Sequence, residues 1–163
     1  WNGFEHNAMF INFPNKGFLN ASFLLGTAFE YDSRAVIAAD LDENGTQDLI
    51  VIEYQSSTMK QRMHMYRNHG NPQHSWIGIK MKNSPGMSPI GTVISMKSKE
   101  REWSKTIVTG DGFTSQGPAI AHFGLGKINN VSEIEVRWPT GVVQTLQNPK
   151  INQYHLIDYK KTR

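Results

Sequence analysis

Residues 35–52 have the sequence AVIAADLDENGTQDLIVI, in which two apolar runs flank a short acidic segment. The runs Ala35–Ala39 and Leu49–Ile52 contain the β-branched residues that favour strands. Between them, Asn44-Gly45 is a dipeptide typical of a tight turn between paired strands. The pattern therefore predicts a strand–loop–strand unit, and the fold interpretation is built outward from it.

The acidic segment places oxygen-bearing side chains at alternate positions and glycine at its sixth position. This spacing can wrap a loop around a hard cation, because alternate side chains point inward and Gly45 permits a sharp turn. Ca²⁺ takes six to eight oxygen ligands and tolerates flexible geometry, whereas Mg²⁺ demands a stricter octahedron, so calcium is favoured. The predicted ligands are the side chains of Asp40, Asp42, Asn44 and Asp48 and the backbone carbonyl of Thr46.

The loop does not fit an EF-hand. An EF-hand needs a bidentate Glu at its twelfth position and flanking helices. Here the twelfth position is Val51, inside the apolar run. The alternative without a metal is an ordinary acidic hairpin loop.

Short strand-like runs separated by Gly, Asn, Asp and Pro continue on both sides of this unit, and no stretch predicts an amphipathic helix. Ile134, Val136 and Trp138 alternate with polar residues, as in a half-buried strand. The sequence thus predicts an all-β fold. Its strands are predicted at Met9–Phe13, Ala35–Ala39, Leu49–Tyr54, Arg62–Arg67, Trp76–Met81, Thr92–Met96, Lys105–Thr109, Ile120–Phe123, Glu133–Trp138, Val142–Leu146 and Tyr154–Ile157.

Composition excludes several function classes. The 163 residues contain no cysteine, so disulfides and thiol catalysis are impossible. The net charge is +3 and the basic residues are scattered, which argues against a nucleic-acid surface. No apolar run is long enough for a membrane span. A polar, turn-rich segment at residues 68–74 predicts a boundary between a module at residues 1–70 and a larger β domain at residues 71–163.

The first part resembles an FG-GAP/VCBS repeat. The carrying segments are residues 34–53 with the acidic loop, residues 7–12 followed by Gly17-Phe18, and residues 65–68. The resemblance implies a blade of a β-propeller with a calcium loop between two strands. Since a propeller needs several blades, it also implies further blades upstream in a longer protein.

The second part resembles an ASPIC/UnbV domain, the module that follows FG-GAP repeats in the cartilage acidic protein-like family and in bacterial exported proteins. The resemblance implies a β-sandwich or barrel-like domain that is secreted, on the cell surface or in the periplasm. The carrying segments are Pro89–Thr92, Gly110–Gln116, His122–Gly126 and Val136–Gly141.

Two kinds of site in the second part remain open alternatives. Trp103, Phe113, Gln116 and Trp138 could form a sugar-binding platform, although core packing explains Phe113 and Trp138 equally well. Ser115 and His122 lie close in sequence, but neither a nucleophile elbow nor a third catalytic group accompanies them.

Together with the calcium loop, these resemblances imply a non-catalytic extracellular interaction or adhesion module that binds Ca²⁺ and forms the C-terminal part of a larger FG-GAP repeat protein. Its partner is a protein or glycan, not a nucleic acid. The alternative is a carbohydrate-binding module of a polysaccharide-processing protein. Catalysis by Asp40 and Asp42 is disfavoured, because ligands that saturate a Ca²⁺ leave no open position for substrate.

Overall fold

The computed structural model describes residues 5–82, 84 and 86–160, which form twelve β-strands and no helix. The predicted all-β fold class is confirmed. In this part of the chain there is therefore no helix that could cross a bilayer. The strands are β1 (Phe10–Phe13), β2 (Gly17–Asn20), β3 (Asp32–Ala39), β4 (Asp48–Gln55), β5 (Lys60–Tyr66), β6 (Ser75–Met81), β7 (Val93–Lys97), β8 (Glu102–Thr106), β9 (Ile120–Gly126), β10 (Glu133–Arg137), β11 (Val143–Gln147) and β12 (Gln153–Ile157).

Each predicted strand has an observed counterpart, and two differences have a local cause. β8 begins at Glu102 and ends at Thr106, so each of its ends lies three residues before the corresponding end of the predicted strand. These bounds follow from its pairing with β7, which runs from Lys97↔Glu102 to Val93↔Thr106. β2 was not predicted. All four of its residues are exposed, so it lacks the alternation of a half-buried strand.

The C-terminal region, defined as residues 75–160, forms two sheets around one core. One sheet has the order β11-β10-β7-β8 and is antiparallel. The other has the order β12-β6-β9, in which β12 runs parallel to β6. Alternate residues of both sheets meet in a single apolar core, as in a β-sandwich. Among the described residues, this core contains Ile77, Ile79, Met81, Ile94, Met96, Ile107, Ala121, Phe123, Leu125, Val131, Ile134, Val136, Trp138 and Ile157.

The N-terminal region, defined as residues 5–67, has a different construction. β1 and β2 form a hairpin, and β3, β4 and β5 form an antiparallel meander. Ala21 is its only buried apolar residue within the described part of the chain. Many of its large apolar side chains are exposed, among them Phe18, Phe23, Leu24, Met59, Met63 and Met65.

No sheet combines strands from the two regions, as far as the described residues show. The segment between β5 and β6 joins them and includes the predicted boundary near residue 70. The division at residues 70 and 71 remains a prediction. The two regions nevertheless touch, and their contact involves the acidic loop.

Candidate functional site

The acidic loop closes the β3–β4 hairpin. The last pair of the ladder is Ala39↔Asp48, so residues 40–47 form the connection. Gly45 has φ 91° and Glu43 has φ 56°. Both values lie in the left-handed region, which glycine adopts without strain. The loop therefore turns back sharply enough to bring its two ends together.

Three carboxylates converge in this loop. Ligand atoms of Asp40, Asp42 and Asp48 lie within 4.8 Å of one another. Asp48 is only 3% exposed. Its two oxygens accept hydrogen bonds from the backbone N–H of Leu41 at 3.1 Å and of Asn68 at 2.8 Å. Asp48 thus anchors both the start of the loop and the segment that follows β5.

Asp40 connects the loop to the C-terminal region. Its Oδ1 accepts from the N–H of Asn44 at 3.0 Å, and its Oδ2 accepts from that of Gly45 at 2.8 Å. The hydroxyl of Tyr154 donates to the same Oδ2 at 2.6 Å. Burial, reinforced by the hydrogen bond and charge of Asp40, raises the pKa of Tyr154 above its ordinary value. The hydroxyl therefore remains a donor at physiological pH.

Asn44 and Thr46 hold the loop in shape. The Oδ1 of Asn44 accepts from the N–H of Thr46 at 2.8 Å and also lies 2.6 Å from its hydroxyl. That hydroxyl is 2.6 Å from the carbonyl of Asn68 as well. Of the five predicted metal ligands, the structure thus gathers the three carboxylates, while the Asn44 amide oxygen is turned toward Thr46.

Asp42 pairs with Arg67, which lies just beyond the end of β5. Slight desolvation alone would raise the pKa of Asp42. The Arg67 charge and hydrogen bonds from Arg67 and Asn44 outweigh it, so the pKa lies below its ordinary value. Asp42 is therefore ionised at neutral pH.

The opposite side of the loop rests on the β12-β6-β9 sheet. A Cβ added to Gly45 would lie 1.9 Å from Nε1 of Trp76, so only glycine allows this approach. The carbonyl of Gly45 lies 2.8 Å from Nε2 of His122, and since a carbonyl only accepts, Nε2 carries the proton. Glu43 forms an ion pair with Lys80.

His122 is held neutral by its surroundings. Burial lowers its pKa below the ordinary value, and the positive charge of Lys105 lowers it further. The hydrogen bond to Gly45 and the charge of Asp40 oppose this shift without cancelling it. Trp76 stacks on the His122 ring at 5.6 Å and packs against the edge of Tyr154 at 4.8 Å.

The residues present fit a hard divalent cation. Three carboxylates are close together, and Arg67 is the only basic side chain in the described structure that is paired with one of them. Like charges at this separation repel one another, and an oxygen-preferring cation offsets that repulsion. Asp40, Asp42 and Asp48 would hold the ion, and its chemistry there would be charge compensation and crosslinking of the loop.

The predicted sugar-binding set is not assembled. Trp138 is 1% exposed, its indole N–H donates to Gln144, and it packs against Tyr159, so the structure places this predicted ligand residue in the core. Trp103 packs partly on the core, beneath the guanidinium of Arg101.

Phe113, 74% exposed, and Gln116 lie in the loop between β8 and β9. Within the described chain, no hydrogen bond or ring contact joins any two of the four predicted residues.

Ser115 and His122 engage different carbonyls. The Ser115 hydroxyl donates to the carbonyl of Val36 at 2.9 Å, whereas His122 donates to that of Gly45. The neighbouring Thr114 donates to the carbonyl of Arg34 at 2.8 Å. The β8–β9 loop thus attaches to β3 and forms a second contact between the regions.

Sequence reasoning missed the platform beneath the acidic loop, which consists of Trp76, Lys80, His122 and Tyr154. One signal was available in β6. A Cβ at Gly78 would lie 2.1 Å from the ring of Tyr154, so only glycine leaves room for that ring. Glycine inside a strand often marks such a close approach.

Comparison with known proteins relates the chain to longer ones. It is 29% identical over 119 residues to human Cartilage acidic protein 1, and 29% identical over 123 residues to the Xenopus tropicalis protein of that name. The mouse protein is 28% identical over 119 residues. These alignments cover 71%, 74% and 71% of this chain, but 18% of each relative. The chain therefore spans less than a fifth of the length of these relatives.

A second comparison concerns the C-terminal half. The family described as "ASPIC and UnbV" matches residues 82–163. This span includes six of the seven strands of the two sheets that enclose the apolar core, β7 to β12. The match covers just over half of the 163 residues, and the chain belongs to the ASPIC and UnbV family.

Proposed function

We propose that this protein is a non-catalytic, calcium-binding interaction module in which one Ca²⁺ at the acidic loop stabilises the junction of the two regions. The observation that carries the proposal is the position of Asp40. This carboxylate belongs to the three-carboxylate cluster and also accepts the hydrogen bond from Tyr154 of the C-terminal region.

The loop contacts support a link between cation binding and the junction. Glu43 and Gly45 contact Lys80, Trp76 and His122, and they lie between the predicted ligands. An ion held by Asp40, Asp42 and Asp48 restricts the loop that presents these contacts. Calcium fits better than magnesium, because three carboxylates supply several oxygens and Ca²⁺ tolerates an irregular arrangement of ligands.

The N-terminal region is proposed to be an FG-GAP/VCBS-like propeller blade that continues into further blades of a larger polypeptide. Support comes from the β3-β4-β5 meander with its acidic loop, and from the apolar residues on both sheet faces. Ile37 and Ile50 pair on one face, while Val36 and Val51 pair on the other. Val36 is 49% exposed. Flanking blades would cover such faces.

The proposed setting is extracellular or on the cell surface, with a protein or glycan partner. The relatives are named for cartilage, and that name supports an extracellular role. The role proposed in this setting is adhesion. A carbohydrate-binding role is the second candidate, favoured by a polar cleft between the acidic loop and the segment joining β5 to β6.

Melting curves in calcium and in EDTA test the proposal. At about 100 times the Kd, one bound Ca²⁺ stabilises the folded state by roughly 2.7 kcal/mol, which raises the melting temperature. Asp42→Ala should abolish this calcium-dependent shift. Asp111→Ala, which removes an aspartate outside the cluster, should retain it. A wild-type melting curve that is the same in calcium and in EDTA would refute the calcium site.

A further inference from the structure

A cleft lies where the acidic loop stops covering the β12-β6-β9 sheet. Its volume is about 680 Å³, within the range of small-molecule sites. One wall is formed by Asn44 and Gly45 and another by the segment joining β5 to β6. The floor is the end of β9, where Gly124 and Gly126 follow His122.

Gly124 shares two properties with Gly117 alone among the described glycines. Its φ lies outside the left-handed region, and a Cβ built on it would meet nothing within 4 Å. Internal packing therefore does not require glycine at this position, which lies beside an irregularity in the β6–β9 pairing. Glycine inside a strand often marks a bulge or a place where a ligand approaches the backbone. Here it keeps the floor of the cleft clear.

The chemistry of the cleft suits a neutral, hydroxyl-rich ligand. Arg67 is the only Lys, Arg, Asp or Glu among its lining residues, and Asp42 already pairs with it. The Asn152 side chain accepts from the N–H of Trp76 at 3.0 Å, which leaves its amide nitrogen free among the described residues. Asn44 also borders the cleft, and its side chain hydrogen-bonds to Asp42. Such amides bond to hydroxyls, and indole offers an apolar surface to sugar C–H groups.

We propose that this cleft binds a neutral oligosaccharide, which lies over Gly124 between the acidic loop and the β5–β6 segment. The inference rests on the proposed role as an interaction module and specifies its ligand class. It does not require calcium as a ligand contact, because Asp40, Asp42 and Asp48 are not among the residues that line the cleft. The proposal places the glycan site in this cleft and not at the predicted residues Trp103, Phe113, Gln116 and Trp138.

Isothermal titration calorimetry with cello-, xylo-, manno- and chitohexaose, and with a heparin hexasaccharide, tests this proposal. At least one neutral hexasaccharide should bind with a Kd on the order of 1 mM or tighter, and more tightly than the heparin fragment. Gly124→Val fills the cleft with a residue suited to a strand, and it should weaken binding by about tenfold or more while the fold is kept.

Gly117→Val is the matched control. Gly117 also has no left-handed φ and nothing within 4 Å of an added Cβ, but it is not among the cleft residues. Its variant should bind like the wild type. The proposal is overturned if no neutral hexasaccharide binds at about 10 mM, if Gly124→Val binds normally, or if heparin binds best. Repeating the titration in EDTA separates this result from the calcium proposal, since oligosaccharide binding should persist there.

Discussion

The two regions of this protein bury different kinds of residue. The C-terminal region surrounds fourteen buried apolar side chains with two sheets. The N-terminal region buries Asp48 and Glu53 instead, at 3% and 0% exposure, and leaves most of its large apolar side chains in solvent. Glu53 is fully enclosed and pairs with His64 at 2.6 Å. One region is stabilised by apolar burial, and the other depends on polar contacts.

This difference explains why the acidic loop makes contacts both within the N-terminal region and with the C-terminal region. Buried carboxylates are costly unless they are paired or bind a metal, so a region built around them needs specific partners. The loop supplies partners within the N-terminal region through Asp48, and it reaches Tyr154 through Asp40. The C-terminal region needs no such help, because its core is complete.

Truncating one methionine in each region tests whether the two regions are stabilised differently, and it should give the largest change in stability. Met96 is 0% exposed and Met63 is 60% exposed. Met96→Ala should lower the free energy of unfolding by about 2–5 kcal/mol, because it leaves a cavity in the core. Met63→Ala should change it by less than about 0.5 kcal/mol. Urea denaturation followed by circular dichroism measures both, and equal losses would contradict the comparison.

A pair of glycine substitutions tests how much the junction between the two regions contributes to stability. Gly45→Ala places a methyl group against Trp76 and also strains a backbone with φ 91°. Gly26→Ala strains a backbone with φ 68° but meets nothing within 4 Å. Backbone strain alone costs about 1–3 kcal/mol, so Gly26→Ala should fall in that range and Gly45→Ala beyond it. Thermal denaturation compares them, and equal melting temperatures would show that the junction adds no stability.

The smallest effect should appear in the pH dependence of stability. Burial lowers the pKa of His122 in the folded state below that of the unfolded chain, which is about 6.5. Below that pH the unfolded chain takes up a proton first, so the free energy of unfolding falls until the pH passes the folded pKa. At higher pH both states are neutral, and this contribution to stability is fully retained.

His122→Gln should reduce that slope in urea denaturation between about pH 7.5 and 5.5 in EDTA. His155→Gln is the control, because His155 also bonds to a backbone carbonyl, that of Lys150, at 2.8 Å. The slope of His122→Gln should be smaller than that of His155→Gln. An unchanged slope in His122→Gln would remove His122 as a source of the pH dependence.

Local patterns predicted most of the fold. Ile134 and Val136 alternate with charged residues in the sequence, and both are 0% exposed. The acidic loop was also predictable, since its turn and its carboxylates are close in sequence. Trp138 continued the same alternation, and its burial follows from that pattern rather than from its aromatic ring.

The partners of the loop could not be predicted from spacing. Tyr154 lies 114 residues from Asp40, and His122 lies 77 residues from Gly45. Their contact depends on the pairing of β6, β9 and β12, and local periodicity does not indicate which side chains of that sheet contact the loop. Pairing of distant strands is a tertiary effect, which sequence patterns capture poorly.

Hydrogen exchange with and without calcium tests the central claim most directly, because it reports the stability of each region separately. Calcium should slow the exchange of amides in the acidic loop and in β3 to β5, while the core strands β7 and β10 keep their rates. Equal rates in calcium and EDTA throughout residues 32–66 would contradict the claim that a cation at Asp40, Asp42 and Asp48 stabilises the N-terminal region.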